Sequence, residues 1–521
     1  MNGRVRLKKL RKLIRIIFGR TMIALLFLVI QIVILFISVT KLSEYYPAFY
    51  AVTLLLSLIS IVYIINDKTN TSFKLAWILP VMTLPVFGTL MYIFVKMELG
   101  TKLVNSRLRV LIEETKPYMV QDTAVLDKLS AEDEREADFA RYMNNYAFFP
   151  VYNDTYAKYF PLGEHKFHAM LEELEKAEKF IFMEYFIVEE GVMWDTVLEL
   201  LKRKAKEGVE VRFMYDGTCT IALLPYNYPK KLAAAGIKCK VFSPIKPVLS
   251  TVQNNRDHRK ILVIDGKVAF TGGINLADEY INAKEKFGHW KDTAVMLKGE
   301  AVKSFTLMFL QNWNITENVH EDYSQYIVSD FSGQEQLDKS GYIIPYSDSP
   351  LDNENVGQNV YIDILFRAKQ YVHIMTPYLI IDDEMKNALI FAAKRGVETV
   401  IIMPHVPDKK YAYYLARTYY AELIEGGVKI YEYTPGFVHA KVFVSDDIRA
   451  VTGSINLDYR SLFLHFECAA YMYNNPAVAE VEADYMDTLS KCEEITLEDC
   501  RKFGVMKRIA GRVLRLFAPL M

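Results

Sequence analysis

Two stretches of this 521-residue chain set a histidine and a lysine one residue apart and follow them, at fixed spacing, with an aspartate, two small residues and an asparagine. The first reads His258-x-Lys260-x4-Asp265-x6-Gly272-Gly273-x-Asn275 and the second His439-x-Lys441-x4-Asp446-x6-Gly453-Ser454-x-Asn456. Chance recurrence of six specified positions is on the order of 10⁻⁸ per starting point, so the second copy is no accident. An imidazole works near neutral pH as nucleophile, base or acid, and an ammonium beside it holds an anion. The chemistry that suits these groups is displacement at phosphorus. Two facing half-sites would place a histidine on either side of one phosphorus atom, one attacking it while the other protonates the departing alkoxide, with the roles then reversed for an acceptor. Lys260, Lys441, Asn275 and Asn456 are expected to hold the non-bridging oxygens, and the small residues Gly273 and Ser454 to let the phosphate approach the backbone. Such a reaction requires no metal and no cofactor.

Each ring also needs a group to orient it, and carboxylates shortly after each motif are the natural candidates. Asp292 follows the first motif and Glu467 the second, with Asp278 as the other candidate for the first half. Asp265 and Asp446 stand at turn positions, where joining the catalytic set and pinning the turn are both open readings.

Each motif is expected to be a β-hairpin, because Asp265-Gly266-Lys267 is a turn signal between apolar runs, and strand alternation would point His258 and Lys260 to one side. The surrounding text repeats in the same way. Apolar β-rich runs at 176–188 and 367–381 precede helix patterns that end at Gly208 and Gly396, and each leads into a β-branched strand. Second helices close at Gly236 and Gly427 before further strands. The order predicts an α/β fold used twice, with mixed sheets covered by helices. The first domain is expected over 115–330 with its motif at 258–275, and the second over 340–500 with its motif at 439–456. The polar stretch 314–340 reads as the connector.

Three apolar runs, 22–39, 50–65 and 75–95, precede these domains and predict a transmembrane region over 21–96. Pro80 and Pro85 would kink the third run. No small-residue cleavage site follows Val39, which argues against a signal peptide. Eight basic and no acidic residues in 1–20 predict a cytoplasmic N-terminus. Lys96, Lys102, Arg107 and Arg109 favour an interior catalytic region, whereas three full spans would place it outside, so the number of spans and the leaflet stay open. The tail 501–521 alternates basic and apolar residues at helical spacing, suited either to an anionic bilayer or to docking on the protein.

Composition narrows the rest. Hydrophobic residues make up 51% of the chain, which indicates contact with lipid, and a net charge of -1 offers no field to draw nucleic acid. Five scattered cysteines form neither a disulfide framework nor a metal pattern. His165, His168, His289, His320, His373, His405 and His465 lack the motif spacing and are expected on the surface or in the core.

The duplicated motif resembles that of the phospholipase D superfamily. Further text, including Ala269-Phe270-Thr271-Gly272-Gly273-Ile274-Asn275, the WKDT segment at 290–293 and YEYTPGFVHAK at 431–441, is similar to the bacterial cardiolipin synthases. The run at 22–39 departs from that family's usual two segments. The resemblance implies two pseudo-symmetric phospholipase D-like α/β sandwich domains behind N-terminal transmembrane helices, in a multi-pass protein of the bacterial plasma membrane. It further implies transfer of a phosphatidyl group between two phosphatidylglycerol molecules, giving cardiolipin and glycerol, with His258 as nucleophile and His439 as acid/base. Hydrolysis by water and a catalytically silent lipid-binding scaffold are the alternatives.

Overall fold

The structure is a computed structural model that describes residues 26, 29–33, 46–96, 99–244, 255–317, 320–352 and 354–520. The basic segment 1–20 and most of the run 22–39 lie outside the described residues. The chain divides into two compact units, one comprising 1–103, 245–254 and 516–521, the other 104–244 and 255–515.

In the first unit, helices Tyr46–Ile65, Thr71–Thr83 and Pro85–Lys96 pack around Ile64, Val81 and Tyr92. The expected single run at 75–95 is therefore split. Leu84 leaves helical geometry, and Pro85, whose missing N–H costs nothing at a first position, starts the next helix. Pro80 is kept inside its helix. Among the described residues no helix is long and apolar enough to cross a membrane. Helix Tyr46–Ile65 is 20 residues long. Its surface is nonetheless apolar, with Leu54, Leu55, Leu58, Ile59 and Val62 all exposed.

The second unit contains both lobes. In the first, strands β1 (Thr155–Phe160), β2 (Phe180–Tyr185), β3 (Glu210–Asp216), β4 (Lys238–Phe242), β5 (Ile261–Ile264), β6 (Val268–Gly272) and β7 (Ala294–Gly299) form a sheet in the order β1-β7-β6-β5-β2-β3-β4. In the second, β8 (Tyr342–Asp348), β9 (Tyr371–Met375), β10 (Glu398–Pro404), β11 (Lys429–Tyr433), β12 (Val442–Ser445), β13 (Arg449–Gly453), β14 (His465–Tyr473) and β15 (Cys492–Ile495) run β8-β14-β13-β12-β9-β10-β11-β15. Strand for strand the two orders coincide, and β15 is an extra edge. Both sheets are mixed, since β2-β3-β4 and β9-β10-β11 are parallel and the motif hairpins antiparallel.

The helices before β3 and β10 stop at equivalent glycines with φ of +95 and +92, a conformation in which a Cβ would be strained. One continuous apolar core runs through both lobes, from Phe180, Phe182 and Ile261 through the buried helix Val302–Asn314 to Val400, Ile402, Val442 and Cys468. The segment joining the lobes carries Glu321, whose carboxylate takes Arg212 at 2.5 Å.

Candidate active site

The motif hairpins form as the turn signals predict, but the strands begin at Ile261 and Val442, three residues past each histidine. Residues 258–260 and 439–441 lie between a short lead-in strand and the hairpin and belong to neither. Those lead-in strands change lobes. Arg256 and Asp257 pair in parallel with His465 and Phe466 of the second lobe, and Gly436–Val438 pairs in parallel with His289–Lys291 of the first. The His258 amide donates to the Phe466 carbonyl at 2.9 Å, and the His439 amide to the Lys291 carbonyl at 2.7 Å.

The residue after each of these acceptors is a carboxylate. His258 Nδ1 lies 3.0 Å from both oxygens of Glu467, and His439 Nδ1 lies 2.7 Å from Asp292 Oδ2. Both expected orienting groups are thus at histidines, but the expected assignment of each to its own half is corrected: the pairs are crossed, because the lead-in strands exchange partners. Asp278 orients neither ring. It accepts the amides of Val192 and Met193 at the start of helix Val192–Lys206.

The small residues of each motif serve these carboxylates. A Cβ on Gly273 would sit 2.1 Å from Asp292 Oδ1, so glycine makes the space that the carboxylate fills. At the equivalent position Ser454 Oγ donates to Glu467 Oε2 at 2.5 Å. These contacts give Gly273 and Ser454 a part in placing the two carboxylates, beyond the small size for which the sequence singled them out. Asn275 is also held within the fold, accepting the Ile187 amide at 3.0 Å and donating to Tyr280 Oη at 2.8 Å. Asn456 differs: its side-chain oxygen is buried without a hydrogen-bond partner.

Asp265 and Asp446 take the turn-pinning role, which corrects their place in the catalytic set. Asp265 accepts the amides of Glu178, Lys179 and Phe180 at 2.7–2.8 Å, and Asp446 those of Lys369, Gln370 and Tyr371 at 2.8–3.0 Å. Three backbone donors leave the carboxylates little capacity for a substrate. Each ties its hairpin turn to the start of the neighbouring strand.

Lys260 and Lys441 are buried, and each donates to the carbonyl of its own histidine; Lys441 Nζ also lies 3.0 Å from His439 Nδ1. Burial pushes Lys260 down to about 8 and Lys441 down to about 7. Both imidazoles are held well below their ordinary value, first by burial and then by the lysine charges of both lobes. The charge of His439 also acts on His258, so the two half-sites share one electrostatic neighbourhood. Burial raises the carboxyls of Asp292, to about 6, and Glu467. At neutral pH Asp292 is therefore an anion beside a neutral ring, an arrangement that leaves a lone pair on Nε2.

His465 was expected on the surface or in the core, but it belongs to this site. Its ring lies 5.5 Å from that of His258, Nδ1 is 3.8 Å from Glu467, and neither ring nitrogen has a hydrogen-bond partner. The one sequence signal was its place two residues before Glu467, which puts both on the same face of a strand. Among the described residues His258, His465 and Glu467 form a trio whose ligand atoms lie within 4.8 Å, the spacing a metal ion could use. Glu467 is already engaged by His258 and Ser454, and the charge of Lys260 acts on it. Aromatic rings close around the nucleophile candidates: Phe186 packs on His258, and Tyr280, Trp290 and Phe437 on His439.

Comparison with known proteins gives the arrangement a setting. A family model described as cardiolipin synthase, PLD-like domain, matches residues 170–313 and 361–488, and one described as phospholipase D-nuclease N-terminal matches 55–96. The chain is 52% identical over 462 residues to an uncharacterized protein of Streptococcus mutans, covering 89% of this chain and 99% of that one. It is 31% identical over 456 residues to cardiolipin synthase 2 of Bacillus anthracis, covering 87% and 88% of the two chains. The crystal structure of phosphatidylserine synthase from Haemophilus influenzae shares the fold, with a TM-score of 0.55 at 14% identity over 73% of this chain and 97% of that one.

Proposed function

We infer the reaction from the family to which this chain belongs, the cardiolipin synthases built on phospholipase D-like domains. The chain is a phospholipid phosphatidyltransferase. The donor and acceptor we propose are two phosphatidylglycerol molecules, with cardiolipin and glycerol as products.

In the proposed course His258 Nε2 attacks the phosphorus of the first lipid. The bond from phosphorus to the glycerol headgroup oxygen breaks, and His439 gives that oxygen its proton. The terminal hydroxyl of the second phosphatidylglycerol then loses its proton to His439 and attacks the phosphatidyl-histidine, releasing His258. Lys260 and Lys441 offset the charge that gathers on the non-bridging oxygens. Both rings are neutral without substrate, so the acid form of His439 arises when the anionic diester arrives and raises its proton affinity. One phosphodiester replaces another, so no nucleotide is consumed.

The observation that carries this reading is the pair of crossed imidazole–carboxylate contacts, 3.0 Å at His258 and 2.7 Å at His439, each beside a buried lysine. A multi-pass position in the plasma membrane is part of the proposal. It is supported by the exposed apolar surface of helix Tyr46–Ile65 and by the lipid chemistry itself.

Full-length protein in phosphatidylglycerol vesicles tests the reaction. We expect cardiolipin and glycerol in equal amounts, lost in His258→Ala and His439→Ala. Phosphatidic acid without cardiolipin would show a hydrolase instead.

A further inference from the structure

The basic C-terminal segment plays no part in this chemistry, yet it is built into the fold in a specific way. Helix Val505–Phe517 docks through Gly511, where a Cβ would lie 2.4 Å from the Tyr414 carbonyl oxygen and 2.7 Å from Thr418. Arg515 stacks 4.1 Å from the Tyr419 ring and reaches Glu422 at 3.5 Å. The opposite face stays apolar and open: Val505, Met506, Ile509 and Val513 are each at least half exposed, at 61%, 77%, 50% and 51%. Docking on the protein and an outward apolar face, two readings of the sequence, thus coexist on one helix.

Between this helix, helix Lys410–Glu425 and helix Leu497–Lys502 lies a cavity of about 160 Å³ lined by four arginines, Arg417, Arg501, Arg508 and Arg512. Arg501, Arg508 and Arg512 make no ion pair among the described residues, whereas Arg417 reaches Glu432 at 3.1 Å. The Arg417 side chain is 9% exposed, and its Nε is buried without a hydrogen-bond partner. Glu425 is the single carboxylate on the cavity wall, so positive charge dominates.

We propose that this cavity binds the phosphate of an anionic membrane phospholipid while the outward face of helix Val505–Phe517 lies among the acyl chains of the same leaflet. Planar guanidinium groups suit the oxygens of a phosphate. The volume admits a phosphate group but not a folded partner. An apolar stripe of this kind beside basic residues fits the boundary between headgroups and acyl chains. The site is separate from His258 and His439 and depends on neither.

The test uses the full-length protein in nanodiscs of zwitterionic lipid doped with either phosphatidic acid or phosphatidylcholine, each carrying a photoreactive group on an acyl chain. Labelled peptides are then mapped by mass spectrometry. Peptides from 505–517 should take up the phosphatidic acid probe severalfold more than the phosphatidylcholine probe. Arg508→Gln with Arg512→Gln should remove the preference, at about fivefold per charge lost. Equal labelling by the two probes, or an unchanged preference in a double variant that melts like the wild type, overturns the proposal. So does protection of the helix by soluble polyglutamate without lipid labelling, which would indicate an acidic protein partner. No turnover is needed, so the transferase reading and this one fail separately.

Discussion

Nδ1 of His258 lies 3.0 Å from both carboxylate oxygens of Glu467, a residue 209 positions further along the chain and in the other lobe. In Glu467→Gln the neutral amide cannot stabilise the imidazolium or fix its tautomer. Turnover should fall by about 10⁴, the loss typical when such a carboxylate is neutralised. The damage should appear as a slower first step. With radiolabelled phosphatidylglycerol and an alkaline quench, the variant should accumulate less labelled enzyme, and peptide mapping should place the label on His258. A label on His439 would reverse the assigned roles.

Gly273 offers a test that adds only one methyl group. In Gly273→Ala the new Cβ would lie 2.1 Å from Asp292 Oδ1, an oxygen that also holds the Thr293 amide at 2.8 Å. The carboxylate must shift, and with it the ring of His439. A displacement of this size should cost about a hundredfold in turnover. The double variant with Asp292→Asn should be no slower than Asp292→Asn alone, because both act through one contact. Additive losses would show that Gly273 works by another route.

The rate should follow a bell-shaped pH curve centred near neutrality. As pH falls through about 6 the Asp292 carboxyl takes a proton and releases His439. As pH rises through about 7 and then about 8, Lys441 and Lys260 lose the charges that offset the phosphoryl oxygens. An anion bound between them raises both lysines, so orthovanadate binding at pH 8 should take up protons. Calorimetry in two buffers of different ionisation enthalpy measures this uptake, and proton release on binding would refute the charge assignment.

Asp265 should matter for stability rather than for rate. Asp265→Ala removes an acceptor shared by three backbone amides and should lower stability by about 3 kcal/mol. The folded fraction should keep its turnover within a few-fold. Asp446→Ala should cost less, since its partners Lys369 and Gln370 are exposed. Chemical denaturation followed by circular dichroism, with activity normalised to folded protein, separates the two effects.

The lobes were legible in the sequence because their strands are long enough to show a pattern. Phe180–Tyr185, Glu210–Asp216 and Glu398–Pro404 are runs rich in β-branched and aromatic residues, and the repeat of their order with the helices between them carried the architecture. The crossing was not legible. It depends on Arg256–Asp257 and Gly436–Val438, strands of two and three residues that carry no measurable alternation and that pair with text far along the chain. His465 was assigned to surface or core because nothing at its spacing matches a motif, and its place beside His258 follows only from the fold of β14. Asn275 looked like a phosphate ligand from its motif position, but the fold already uses its oxygen for the Ile187 amide and one of its two N–H groups for Tyr280.

The exchange of lead-in strands makes each half of the molecule an incomplete enzyme. A fragment ending before residue 340 would hold a nucleophilic ring with nothing to orient it, together with a carboxylate lacking its ring, and the complementary fragment would have the converse deficit. Neither fragment should show residual turnover by itself. Activity should return only when the two associate, and damage to either carboxylate should register at the histidine of the opposite fragment.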